Sequence, residues 1–106
     1  MASEPFQAES GIVANSAGLK VDESRVAASY ANFCRVVGTP EEVVVDFALN
    51  TQAQPSDGTP VALSQRVVVN YFTAKRLLQA LGATVARYEQ SFGTIETNLN
   101  KRLERK

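Results

Sequence analysis

The sequence predicts an α+β domain. An antiparallel meander of three strands, with room for a fourth from an N-terminal arm, should precede one long C-terminal amphipathic helix. Three observations predict it. Residues 43–49 place the large apolar Val43, Val45, Phe47 and Leu49 on one side and Val44, Asp46 and Ala48 on the other, the period-two signature of a strand. Two further β-branched stretches flank them, separated by Gly- and Pro-containing breaks. After Asn70 the apolar spacing changes to alternating steps of three and four, through Leu78, Leu81, Val85, Tyr88, Phe92, Ile95 and Leu99, the a/d spacing of a coiled-coil seam.

Taken in order, residues 1–25 are rich in Ala, Ser, Gly and Glu and read as a mobile arm. The first strand is expected from about Ala28 to Val37. Gly38-Thr39-Pro40-Glu41 is the expected turn. Glu42–Leu49 is the second strand, and the short connection makes the pair a hairpin. The favoured register puts Cys34 and Val36 on the face of Val43 and Val45, beneath the helix. Phe33, Arg35 and Asp46 then share the opposite face, where Arg35 and Asp46 can pair across the strands as structural glue.

Asn50–Pro60 reads as a loop with a turn at Pro55-Ser56-Asp57-Gly58. Val61–Val69 is the third strand, and it runs directly into the helix, with Asn70 as N-cap. Thr73–Leu81 contains mostly strong helix formers. Gly93-Thr94 resembles a helix stop and restart, so the helix either breaks near Phe92 or runs on to Leu103. Unbroken, it would span roughly 50 Å, against roughly 26 Å for a strand of about eight residues. Such an overhang asks for a second copy or a partner; the alternative is that the stripe packs only on its own sheet and the tail after Gly93 frays. The expected organisation is an arm (1–25), an α+β domain (26–95) and a basic helical extension (96–106).

At 106 residues and 44% apolar composition the chain has material for one domain with a modest core. It carries no apolar run of membrane-spanning length and no signal-peptide core. One cysteine allows no internal disulfide. A cytoplasmic setting is the expectation. Net charge is zero but unevenly spread: residues 1–60 hold three basic against eight acidic side chains, and residues 61–106 hold eight against three. Helix-dipole complementarity and solvated faces account for that asymmetry; head-to-tail attraction between protomers is the sharper reading.

Composition argues against most catalysis. The chain has no histidine, which removes His-containing zinc sites, Ser-His-Asp triads, Cys-His pairs and the usual neutral-pH base. Neither phosphate-cradling glycine motif occurs. Adjacent Glu41 and Glu42 point apart on a turn. Cys34, in mid-strand, reads as a small buried apolar residue. No enzyme activity, cofactor or metal is expected; an enzyme that works through carboxylates alone or a borrowed cofactor is one rival reading. The tail offers Arg102, Arg105 and Lys106 to an acidic or nucleic-acid surface, but six residues containing a glutamate make a narrow basic patch. Nucleic acid is a rival expectation, steep salt dependence being its signature.

Tyr30-Ala31-Asn32-Phe33, Arg35-Val36, Gly38-Thr39-Pro40-Glu41-Glu42 and Asp46-Phe47, followed by Ala74-Lys75-Arg76-Leu77-Leu78-Gln79-Ala80-Leu81 and Tyr88-Glu89 with Phe92-Gly93, resemble a family of small bacterial proteins. That family is catalogued as a domain of unknown function, family 3467. The resemblance covers roughly residues 28–95. Where the family often opens the helix with Ser-Pro, this chain has Asn70-Tyr71. The resemblance implies a compact strand-rich domain with a C-terminal helix, and it implies no activity or cofactor. The expected function is therefore a non-catalytic assembly or adaptor module. It would be a homodimer or tetramer held through Leu78, Leu81, Val85, Tyr88, Phe92, Ile95 and Leu99, with a further protein partner allowed and no membrane role.

Overall fold

The computed structural model describes residues 18–52 and 58–104. Three strands, β1 (Phe33–Gly38), β2 (Glu42–Ala48) and β3 (Leu63–Asn70), precede two helices, α1 (Tyr71–Phe92) and α2 (Leu99–Glu104). The sheet is antiparallel in the order β1-β2-β3. This is the α+β meander that the alternation and the change of period predict. The chain divides into two compact units. One is Ala17–Lys75, with the sheet and the first turn of α1; Arg76–Lys106 belong to the other.

β1 pairs Arg35 with Asp46 and Val36 with Val45; β3 pairs Arg66 with Asp46 and Val67 with Val45. Cross-strand partners share a face. One face therefore carries Cys34, Val36, Val43, Val45, Phe47, Gln65, Val67 and Val69. The other carries Phe33, Arg35, Val37, Val44, Asp46, Ala48, Arg66 and Val68. The face assignment expected for β1 and β2 holds. Ser64 is an extra residue on β3, where the register shifts opposite Phe47 and Ala48, and its hydroxyl donates to the Phe47 carbonyl at 3.1 Å. A bulge of this kind bends and twists an edge strand.

Several boundaries move. β1 begins at Phe33 rather than Ala28, because β2 ends at Ala48 rather than Leu49 and offers residues 28–31 no ladder partner. The Asn32 side chain closes the ladder instead. Its Nδ2 donates to the Asn50 carbonyl (3.0 Å) and its Oδ1 accepts the Asn50 N–H (2.6 Å). A side-chain amide thus stands in for one residue of strand backbone. β3 begins at Leu63, two residues after the expected Val61. The turn shifts by one residue, to Thr39–Glu42. Thr39 N–H donates to the Glu42 carbonyl (2.8 Å), and the Thr39 hydroxyl accepts the N–H groups of Glu42 (2.9 Å) and Glu41 (3.3 Å). Pro40 occupies the first central position, where its fixed φ excludes the primed hairpin turns. No strand forms among residues 18–32; the rest of the arm, with the expected fourth strand, lies outside the described residues. So do residues 53–57, and with them most of the Pro55–Gly58 turn. Gly58 itself has φ +83°.

Gly38 is a glycine for a packing reason. A Cβ there would sit 2.8 Å from the Tyr71 hydroxyl, and that hydroxyl donates to the Thr39 carbonyl at 2.6 Å. Tyr71 thus ties the first residue of α1 to the β1–β2 turn. Asn70 ends β3 and also caps α1, its Oδ1 accepting the Thr73 N–H at 2.7 Å. No loop residue separates strand from helix.

The helix breaks. Gly93 adopts φ +96°, a conformation that glycine reaches without penalty, and its N–H bonds the Glu89 carbonyl at 2.8 Å. The Glu89 carboxylate then accepts the Ile95 N–H (2.8 Å). The restart is at Leu99, not Thr94, with Asn98 as cap to Asn100 (2.9 Å). α1 has 22 residues and spans about 33 Å. The expected overhang is therefore cut to several ångströms beyond a strand's length, and length alone no longer demands a second copy.

Candidate functional site: the Asp46 cluster and two apolar surfaces

Asp46 stands in the middle of the central strand, and none of its surface is exposed. A carboxylate there must be charged, paired and fully hydrogen-bonded, or not charged at all. The flanking strands supply both partners. Arg66 on β3 grips it in bidentate fashion, Nε to Oδ1 at 2.7 Å and Nη2 to Oδ2 at 3.1 Å. Arg35 on β1 places Nη2 (2.8 Å) and Nε (3.2 Å) on Oδ2. The arginine side chains are themselves about half exposed, 51% and 55%, so their stems cover the carboxylate while their outer edges meet solvent. The Arg66 hydrogen bonds hold the Asp46 carboxyl down, at a pKa of about 2, against the opposing effect of burial, with Arg35 adding to the same side. The same contact raises the Arg66 guanidinium.

The expected Arg35–Asp46 pair is thus one arm of a triad. Sequence reasoning did not assign Arg66 to it. The signal was present: Arg66 is the one charged residue of β3, and the register that pairs Arg35 with Asp46 leaves the other side of Asp46 to be met by β3. Thr39 and Asn50 were missed likewise, since their role is to receive or give backbone bonds. The triad joins the three strands through one carboxylate. Among the described residues no three His, Cys, Asp or Glu side chains come together to hold a metal ion.

The opposite face of the sheet contains no charged side chain, and it is half-buried at Val45, Phe47 and Val69 and exposed at positions on the edge strands. Val43 is buried, but Val36 is 63% and Val67 41% exposed. Cys34, expected to be buried, is exposed there, because among the described residues β1 has a neighbour on one side only. The helical stripe is likewise open. Leu78 (68%), Leu81, Val85, Tyr88 and Phe92 (63%) are all exposed on α1, as are Ile95 after the break and Leu99 at the start of α2. The rings of Tyr88 and Phe92 meet at a tilt of 39°, with centroids 4.8 Å apart. With Ile95 and Arg102 they line an open groove after Gly93.

The other residues of the sequence reading are scattered. Tyr30 precedes β1 and is exposed; Phe33 is half-buried; Pro40 and Glu41 form the turn tip; Phe47 is half-buried on the uncharged face; Lys75 and Arg76 are exposed on α1. Arg102 is exposed on α2, while Arg105 and Lys106 lie outside the described residues. Among the described residues no helix is long and apolar enough to cross a membrane.

A three-stranded antiparallel meander that runs into a long helix defines a small α+β domain. The chain belongs to the family described as "Protein of unknown function (DUF3467)", which matches residues 2–97. No curated protein and no solved structure matches it.

Proposed function

We propose that this chain is a non-catalytic, homo-oligomeric assembly module of the cytoplasm, a dimer or a tetramer, held through the α1 stripe. One observation carries the reading. Among the described residues only Val43, Asp46 and Ala48 are buried, while Leu78, Leu81, Val85, Tyr88 and Phe92 stand exposed along one helix. Burying a large apolar side chain is worth about 1.5–3 kcal/mol, and a domain with so few of them buried lacks the driving force to offset chain entropy. Many obligate oligomers have no stable folded monomer for this reason. The stripe contains no ionised group, so a second apolar surface can cover it without desolvating charge.

Light scattering tests the reading. The expected mass is twice or four times the 11.5 kDa of one chain. Leu81→Asp or Val85→Asp should reduce it to a single chain. A parent protein that travels as one copy would overturn the proposal.

A further inference from the structure

The oligomer reading leaves open which surface the stripe lies against. Building on that reading, we propose that the uncharged face of the sheet is the seat of the α1 stripe of a second copy, so that two chains exchange helices reciprocally. Each chain then supplies half of each core.

Three observations carry this. First, the two surfaces match in chemistry. The sheet face holds Cys34, Val36, Val43, Val45, Phe47, Val67 and Val69 with one polar residue, Gln65. The stripe from Leu78 to Phe92 is equally free of charge. The other sheet face carries the Arg35–Asp46–Arg66 cluster, with two guanidiniums against one carboxylate, and would set an uncompensated positive charge against any apolar helix. Second, they match in length. Leu78 to Phe92 covers about 21 Å of helix, and the strands of six to eight residues cover about 20–27 Å. Third, β3 and α1 share Asn70 with no residue between them. A helix that returns along the strand before it is normally given a connection of about 2–6 residues. A second copy meets the same apolar face without that reversal, and two-fold exchange of an element is a low-cost route to a dimer.

Cys34, the single cysteine of the chain, lies on this face and is exposed, which makes it a native probe. The parent chain is mixed with a Cys34→Ala/Leu81→Cys chain, equilibrated, and treated with a short bis-maleimide; mass spectrometry reads the links. The expected product joins Cys34 of one chain to position 81 of the other. Links between two copies of position 81, with none to Cys34, would mean that helix packs on helix: the oligomer would stand and this inference would fall. A Leu81→Cys chain that retains Cys34 and links within itself at high dilution would overturn it as well. A monomeric mass throughout would remove both proposals. As a second measurement, Val67→Lys and Leu81→Asp chains should each be monomeric alone and form a heterodimer when mixed. Failure to recombine would count against the exchange.

Discussion

The two faces of one small sheet solve opposite problems. On one, a carboxylate sits in the central strand with no exposed surface, and the strand on each side sends an arginine to it. The carboxylate of that face finds both its partners within the chain, and the arginines turn their outer edges to solvent. On the other, valines, a phenylalanine and a cysteine alternate without a single charge, and the edge positions stay open to solvent. The difference teaches where each kind of interaction can be completed. Hydrogen bonds and ion pairs are short-ranged and directional, and three adjacent strands suffice to satisfy them. Apolar burial needs area, and a three-stranded sheet cannot supply its own second layer.

The largest effect should come from breaking the closed face at its centre. Asp46→Asn removes the charge that holds two guanidiniums and leaves them facing each other. We expect the greatest loss of thermal stability of any single substitution on the sheet, read by calorimetry. The acid response follows with a definite sign. The Asp46 carboxyl titrates lower in the folded chain, at about 2, than its ordinary 3.8. Its stabilisation is complete above the ordinary value and is lost as pH falls from about 4 to about 2. Acid titration followed by circular dichroism should show this component in the parent and not in Asp46→Asn.

The comparison sharpens on β3, where neighbouring residues of similar exposure face opposite ways. Val67 is 41% and Val68 50% exposed. If the uncharged face is an interface, Val67→Asp should lower the mass in light scattering and Val68→Asp should leave it unchanged. Equal effects would erase the distinction between the faces.

Smaller effects belong to the ends of the sheet. Asn32→Ala deletes both bonds to Asn50 and should cost about 1 kcal/mol in denaturant unfolding, the low end for two partly exposed hydrogen bonds. Thr39→Ala should cost a similar amount, because one hydroxyl organises the whole turn. Pro40→Ala should cost only about 0.5 kcal/mol through the greater entropy of the unfolded chain. Unfolding on that change would show that the turn depends on its proline.

Much of this was written in the chain itself. Alternation over residues 43–49 specified a strand and its two faces. The move to steps of three and four after Asn70 specified a helix, and Asn70 its cap. The Arg35–Asp46 pair was legible because the turn at Pro40 fixes how two strands meet. These features are local, governed by periodicity and by turn chemistry a few residues long. The three-dimensional fold alone decided that Arg66 completes the pair, that Asn32 substitutes for strand backbone, that Gly93 ends the helix and that Cys34 lies open at an edge. Each depends on which segments become neighbours, or on which of two locally acceptable conformations the chain adopts. Sequence pattern sets what a residue prefers, and only tertiary pairing sets whether a partner is within a hydrogen bond's reach.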